Sequence, residues 1–208
     1  MTVGTIQPEI LGSRQQAEAA KQVFETTGFS CVENAATVAG AGMLATEALA
    51  SLDGLRRATR DDDGLRYSAG IADMGPQAKA FLTGPGLIDS LRWFTRQAVR
   101  LTSDMSCLTV YEAGDRLGVH LDQPADRCAL TVIYYLDCAS PAPEAPESGL
   151  QLWVYGRDRD SIRGAPCQII RTRPGRLVFG LGSQVWHERP QLQPGERVIA
   201  LTTCFELS

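Results

Sequence analysis

Residues 111–122, YEAGDRLGVHLD, contain one of the chain's two histidines, His120, with Asp122 two places on. The neighbouring runs SCLTVYEA and CALTVIYYLD are rich in β-branched and aromatic residues, which places the stretch among strands. In a strand, residues i and i+2 project to the same side. His120 and Asp122 therefore offer an imidazole and a carboxylate in one direction. The second histidine, His187, stands in another strand-like run, QVWHER.

Outward from this stretch, the second half of the chain continues in the same style. GLQLWVYG, CQIIRT, RLVFGLG and RVIALTTCFEL are short apolar runs, separated by turn-forming segments such as RPG and QPGE. That pattern predicts an antiparallel sandwich or barrel of short strands. Between two of them lies a proline-rich loop, CASPAPEAPESG, residues 138–149. A loop of that length in a compact sheet is functional or mobile.

The first hundred residues are mixed and partly helical. SRQQAEAAKQVFETTG carries a cap at Ser13 and a stop at Gly28. GFSCVENA reads as a short strand and turn. AGAGMLATEALASLDGLRRA reads as a helix and RDDDG as a loop. In GPGLIDSLRWFTRQAVRLTS, apolar residues recur at Leu87, Leu91, Phe94, Ala98 and Leu101, one helical face. The expected organisation is mainly β: a single domain over residues 1–208, with helical support over about 1–103 and a β core over about 104–208.

Composition sets outer bounds. In 208 residues, 44% are apolar and 21% charged, ordinary for a soluble globular chain. A net charge of −4 argues against a nucleic-acid partner, which selects for a basic excess. The six cysteines form no C-x-x-C pair and sit mostly in apolar runs, where a thiol acts as a small hydrophobe. No disulfide framework or zinc ribbon is expected. The start, MTVGTIQPEILGSRQ, lacks the basic and apolar regions of a signal peptide, and no apolar run is long enough to span a membrane. The expectation is a cytoplasmic protein without a membrane partner; nothing in the residues speaks to oligomeric state.

His120, Asp122 and His187 supply two histidines and one carboxylate, the set that forms the facial triad of non-haem Fe(II) oxygenases and leaves open positions on the metal. Two of these can take a bidentate 2-oxo acid and the third O₂. Arg197 follows His187 by ten positions (197 − 187) and opens the last strand-like run. A guanidinium there can bind the far carboxylate of a dicarboxylic oxo acid through two parallel hydrogen bonds.

The ordered set YEAGDRLGVHLD, DRCALTVIYYLD, SGLQLWV, RPGRLVFG and HERPQLQPGER resembles the Fe(II)/2-oxoglutarate-dependent dioxygenases, and within them the prolyl-4-hydroxylase-like group. The resemblance covers roughly residues 105–206. It implies a double-stranded β-helix, or jelly roll, with N-terminal helices packed on one sheet. It also implies that His120, Asp122 and His187 ligate iron, that Arg197 and Tyr134 hold the 2-oxoglutarate C5 carboxylate, and that Tyr111 lines the pocket near the metal. With Tyr134 inward, Leu130, Val132 and Leu136 also point inward and Tyr135 points outward. Arg127 matches a position that can face the substrate entrance.

Two departures stand out. Ile199 replaces a serine of many relatives, and Ser148 precedes Gly149 where relatives often carry a second glycine. The carboxylate ligand is intact at Asp122, which favours hydroxylation over halogenation. What the resemblance implies is oxidation of a C–H bond using Fe(II), 2-oxoglutarate and O₂, with ascorbate as a possible reductant. The substrate expected is a small molecule, such as an amino acid or biosynthetic intermediate. A prolyl or other residue in a peptide or protein is the alternative, and a catalytically silent metal-binding jelly roll the remote one. The expected entrance walls are the 138–149 loop and RYSAGIADMGPQAKAF, residues 66–81.

Overall fold

The computed structural model describes residues 12–62, 65–142 and 145–208. The first helix, α1 (Arg14–Thr27), starts at Ser13, whose hydroxyl accepts from the Gln16 N–H while the Gln16 side chain accepts from the Ser13 N–H. This reciprocal pair satisfies two otherwise unpaired donors. The helix stops at Gly28, whose φ of 78° suits glycine. Both ends fall where the sequence puts them. Next come β1 (Phe29–Val32), α2 (Val38–Ala50), β2 (Arg56–Asp62) and β3 (Leu65–Ala72). The helix expected to run on through residue 58 ends instead at Ala50, in a 3-10 turn, Leu52–Gly54, and the chain then leaves as β2.

After α3 (Pro76–Thr83) and α4 (Pro85–Thr95) the chain enters β4 (Val99–Tyr111). Leu87, Leu91 and Phe94 form the buried face of α4 as expected. Arg96 then adopts a left-handed conformation, so Leu101 belongs to β4 and not to the helix. The remaining strands are β5 (Arg116–His120), β6 (Leu130–Ala139), β7 (Gln151–Gly156), β8 (Gln168–Arg171), β9 (Leu177–Gly180), β10 (Trp186–Arg189) and β11 (Arg197–Leu207). The first hundred residues thus contribute helices and also strands of the sheet.

All strand pairs are antiparallel, in the order β1-β9-β6-β11-β4-β3-β5-β10-β7-β8, with β2 on β3. Strand β3 is the bridge: Gly70 pairs with Val110 of β4, and Tyr67 with Leu117 of β5. The wide sheet β1-β9-β6-β11-β4 thereby turns over onto the narrow sheet β5-β10-β7-β8, making a jelly roll with an apolar interior of Phe29, Ile133, Val154, Val178 and Val198. The helices cover the other face of the wide sheet. Phe24 and Phe94 pack there on Phe179, with ring centroids 5.5 and 4.1 Å apart.

Strand β6 is buried on both faces, and the structure reverses its expected facing. Leu130, Val132 and Tyr134 lie in the helix-side cluster, and Ile133 and Tyr135 in the barrel interior. The Tyr134 ring rests on Phe81 of α3, centroids 4.9 Å apart. The cysteines also need correction: Cys128 and Cys204 form a disulfide, while Cys31, Cys107, Cys138 and Cys167 are free. Among the described residues no helix is long and apolar enough to cross a membrane.

Candidate metal centre

His120 ends β5, and its cross-strand partner on β10 is His187. Pairing places the two rings side by side, centroids 4.3 Å apart. Asp122, just past β5, is turned toward them by its own N–H, which donates to the Gly182 carbonyl at 3.0 Å. One ligand atom from each of the three residues lies within 4.8 Å of the others.

The imidazoles are oriented by backbone. His120 Nδ1 is 2.9 Å from the Gly118 carbonyl, and His187 Nδ1 is 2.9 Å from that of Val185. A carbonyl only accepts, so each Nδ1 carries a proton, and in the neutral ring Nε2 is the atom left with a lone pair for a metal. Those Nε2 atoms stand 3.0 and 3.8 Å from Asp122 Oδ1. On its other side Asp122 accepts from the Thr131 hydroxyl. Burial favours the neutral form of Asp122. The two neighbouring imidazoles and the hydrogen bond from Thr131 outweigh it and hold the carboxyl well below the usual range. Burial and then the neighbouring His120 ring lower the His187 pKa to about 4, so this imidazole is neutral at pH 7. A carboxylate, 17% exposed, between two backbone-held imidazoles that turn Nε2 toward it is a donor set that fits a divalent cation such as Fe(II).

Gly182 completes the cradle. A Cβ there would overlap Asp122 Oδ2 and the Thr131 hydroxyl. Phe29 covers His187 from the apolar side, ring centroids 4.9 Å apart.

Two places along β10 from His187, Arg189 enters the same interior and is 3% exposed. Its guanidinium donates to the Gly149 carbonyl and Thr172 hydroxyl, each at 3.1 Å, and to the Tyr135 hydroxyl at 2.6 Å. It also lies over the rings of Tyr111 and Tyr135, 5.2 and 5.4 Å from their centroids. All of these partners are neutral. The interior therefore holds a guanidinium that makes no ion pair with any described residue.

Other residues named from the sequence lie elsewhere. Along β11, Val198 and Ala200 face the interior, and Ile199 and Leu201 face the helices. Arg197 shares the outer side, is 45% exposed, and pairs with Asp137 at 2.7 Å. Arg127 is half-buried and pairs with Asp104. Tyr111 is in the barrel interior, beside Arg189. The sequence reading missed Arg189, Tyr135, Thr131 and Gly182. The i+2 rule that joins Asp122 to His120 also joins Arg189 to His187.

The barrel has two distinct ends. The His120 and Trp186 end opens as a cavity of about 610 Å³ that reaches His120 and Asp122. The 138–149 loop is at the opposite end, next to the start of β7 and of β11. There the buried Glu196 accepts from the hydroxyls of Ser140 (3.1 Å) and Ser148 (2.5 Å) and from the N–H groups of Gly149 and Gln193 (2.8 Å each). The loop is therefore not a wall of this entrance; residues 143–144 of it lie outside the described set. Of the 66–81 stretch, none lines the cavity, although the adjoining Leu65 does.

No protein-family profile and no curated protein matches the chain. Among solved structures it is similar to a Pseudomonas putida prolyl-4-hydroxylase at 19% identity, covering 91% of this chain and 98% of that one, TM-score 0.64. It is similar to a Trichoplax adhaerens prolyl hydroxylase in complex with a hypoxia-inducible-factor peptide fragment at 18% identity, 91% and 89% coverage, TM-score 0.63. It also resembles the epimerase SnoN, in complex with Fe³⁺, α-ketoglutarate and nogalamycin RO, at 13% identity, 93% and 84% coverage, TM-score 0.71. The chain has the jelly-roll fold of the 2-oxoglutarate/Fe(II) oxygenase structures, prolyl-4-hydroxylase among them.

Proposed function

We propose that this chain is an Fe(II)- and 2-oxoglutarate-dependent oxygenase that hydroxylates a C–H bond of a small molecule. The observation that carries it is the pairing of two unlike sites on one strand, a cation-seeking cluster at His187 and an anion-seeking guanidinium at Arg189, both facing the barrel interior. A dicarboxylic 2-oxo acid bridges such a pair, chelating a metal at one end and meeting a guanidinium at the other.

In this reading His120, Asp122 and His187 hold Fe(II), which when bound supplies the redox chemistry coupling oxidative decarboxylation to C–H oxidation. The balance is 2-oxoglutarate + O₂ + R–H giving succinate + CO₂ + R–OH. The residues around the site set geometry and charge. The Gly118 and Val185 carbonyls fix the imidazole tautomers, while Thr131 and Gly182 fix the carboxylate. Arg189 takes the C5 carboxylate with Tyr135 and Thr172 beside it, the part that the resemblance gives to Arg197 and Tyr134. Tyr111 walls the same space. Its burial pushes the phenol far above its ordinary pKa, so it is a neutral hydroxyl.

A cavity of about 610 Å³ is of the size that encloses a small ligand, which supports a small molecule over a residue within a protein. Likeness to the prolyl hydroxylases supports the peptide alternative. Ascorbate as reductant has no residue to recommend it. The test is anaerobic addition of Fe(II) and 2-oxoglutarate. A weak visible charge-transfer band, followed by succinate release in air, is expected. No band and no 2-oxoglutarate binding would return the chain to the metal-binding but silent alternative.

A further inference from the structure

A single loop, residues 123–129, joins two parts of the metal centre. It leaves Asp122 and returns to β6, where the Thr131 hydroxyl donates to the Asp122 carboxylate. Its first residue, Gln123, lines the mouth of the cavity together with Arg60, Arg159 and Trp186. Residues 123–126 are exposed, and the loop is fastened to the body of the barrel at its far end. There the Arg127 carbonyl accepts from the Thr102 hydroxyl of β4 at 2.7 Å. Next to it Cys128, 2% exposed, is bonded to Cys204 of β11, 8% exposed. Cys204 is the cross-strand partner of Thr131 on β6 and of Thr102 on β4. Residues directly opposite on neighbouring strands project to the same face. The bridge therefore stands beside the hydroxyl that holds the metal-ligand carboxylate.

We propose that the Cys128–Cys204 bridge positions the Asp122 carboxylate, so that the chain binds its metal tightly with the bridge closed and weakly with it open. With the bridge open, two contacts keep the return end of the loop in place: the Thr102–Arg127 hydrogen bond and the Arg127–Asp104 pair. A solvent-facing pair of that kind contributes little. Two thiols also occupy more room than a bonded pair, and close-packed surroundings feel such a change. Cys128 and Cys204 are both nearly covered, so the strand ends beside them must give, and Thr131 lies on one of those ends. Its hydroxyl then leaves its line to Asp122. Opening is thiol–disulfide exchange with a small-molecule thiol. One thiolate attacks a bridge sulfur, and a second thiol resolves the mixed disulfide. Two electrons and two protons end on Cys128 and Cys204, and the small thiol leaves as its own disulfide. Closure is the reverse. Disulfides persist in oxidising surroundings and open in reducing ones, so the metal centre follows the redox state around it. The proposal rests on the reading of His120, Asp122 and His187 as that centre and uses no assumption about the substrate.

The test is Mn(II) titration of the full chain, first equilibrated in anaerobic glutathione buffers of different oxidised-to-reduced ratio and then freed of glutathione under nitrogen. Mn(II) is a hard cation that prefers carboxylate to thiol, so the thiols that reduction frees do not compete for it. Alkylation in denaturant followed by mass measurement counts the thiols. Four of the six cysteines should react with the bridge closed, namely Cys31, Cys107, Cys138 and Cys167, and all six with it open. The reduced chain should bind Mn(II) about tenfold or more weakly than the oxidised one, the cost of disturbing a group that orients a ligand. Both are measured at a temperature where circular dichroism shows them folded. Cys128→Ser and Cys204→Ser should each bind as the reduced chain does, at every glutathione ratio. Glu196→Ala disturbs the opposite end of the barrel and should bind as the oxidised wild type does, which separates positioning from a general loss of stability. Six reactive thiols at every ratio, tight binding by either serine variant, or an equal loss in Glu196→Ala overturns the proposal. Mn(II) binding of equal strength in the two redox forms removes this proposal and leaves the metal reading standing. Absence of Mn(II) binding in every form removes both.

Discussion

Gly182 stands where its missing side chain would be: a Cβ built on it overlaps Asp122 Oδ2, so the carboxylate's position requires glycine there. The same oxygen accepts from Thr131, and the Gly182 carbonyl receives the Asp122 N–H at 3.0 Å. Gly182→Ala must push the carboxylate off its line to His120 and His187. Metal affinity should fall about 10–100-fold, the usual cost of disturbing a group that orients a ligand. Metal titration checks it, with the melting temperature as control; wild-type affinity in the alanine variant would remove Gly182 from the cradle.

His120→Ala, Asp122→Ala and His187→Ala should each abolish stoichiometric Fe(II) binding and turnover. Retention of one tightly bound iron per chain by any of the three variants would strike that residue from the ligand set.

Arg189 and Arg197 make opposite predictions. Arg189→Gln removes the charge facing a bound dicarboxylate and should weaken 2-oxoglutarate by about 2–4 kcal/mol. Arg197→Gln breaks one exposed pair with Asp137, worth about 0.2–1 kcal/mol of stability, and should leave 2-oxoglutarate affinity as it is. Tyr135→Phe should weaken the cosubstrate by about 1 kcal/mol and Tyr134→Phe should not. Titration of the four variants decides; a loss confined to Arg197→Gln and Tyr134→Phe would restore the assignment expected from the sequence.

Glu196→Ala leaves the Ser148 hydroxyl and the Gly149 and Gln193 N–H groups without their acceptor. Unpaired buried donors cost about 1–3 kcal/mol each, so the melting temperature should drop by several degrees. Since this end of the barrel lies away from the mouth, Fe(II) affinity and the coupling of succinate to product should hold at temperatures where the variant is folded. Uncoupled succinate release at such temperatures would bring the 138–149 loop back as a lid.

Much of the fold and the core of the site were legible in the sequence, and particular residues show why some parts were not. Ser13 and Gly28 announce α1 because caps are local chemistry. His120, Asp122 and His187 are legible because strand periodicity is strict and the chain has no other histidine. The facing of Tyr134 and Tyr135 was not, because VIYYLD lies between helices and barrel interior, with both tyrosines at most 1% exposed. A strand buried on both faces shows no alternation, and a shift of one residue exchanges its faces. Arg197 had a suitable spacing from His187, but spacing does not carry parity, and parity puts it outside. The mouth was hidden for another reason: Arg60, Arg159 and Trp186 are distant in sequence and meet only once the barrel has closed.

The place of β11 bears on how the chain is made. It lies between β4 and β6, paired along nearly its whole length with both. Until residues 197–207 have left the ribosome, the wide sheet is in two pieces, each with a bare edge and an uncovered apolar face. Such edges recruit other strands, and sheets built from distant segments form slowly. During synthesis, one edge of β4 must therefore wait for a partner about ninety residues downstream, and it stays open to other strands until the middle strand of the sheet, the last of the described strands in chain order, slots in.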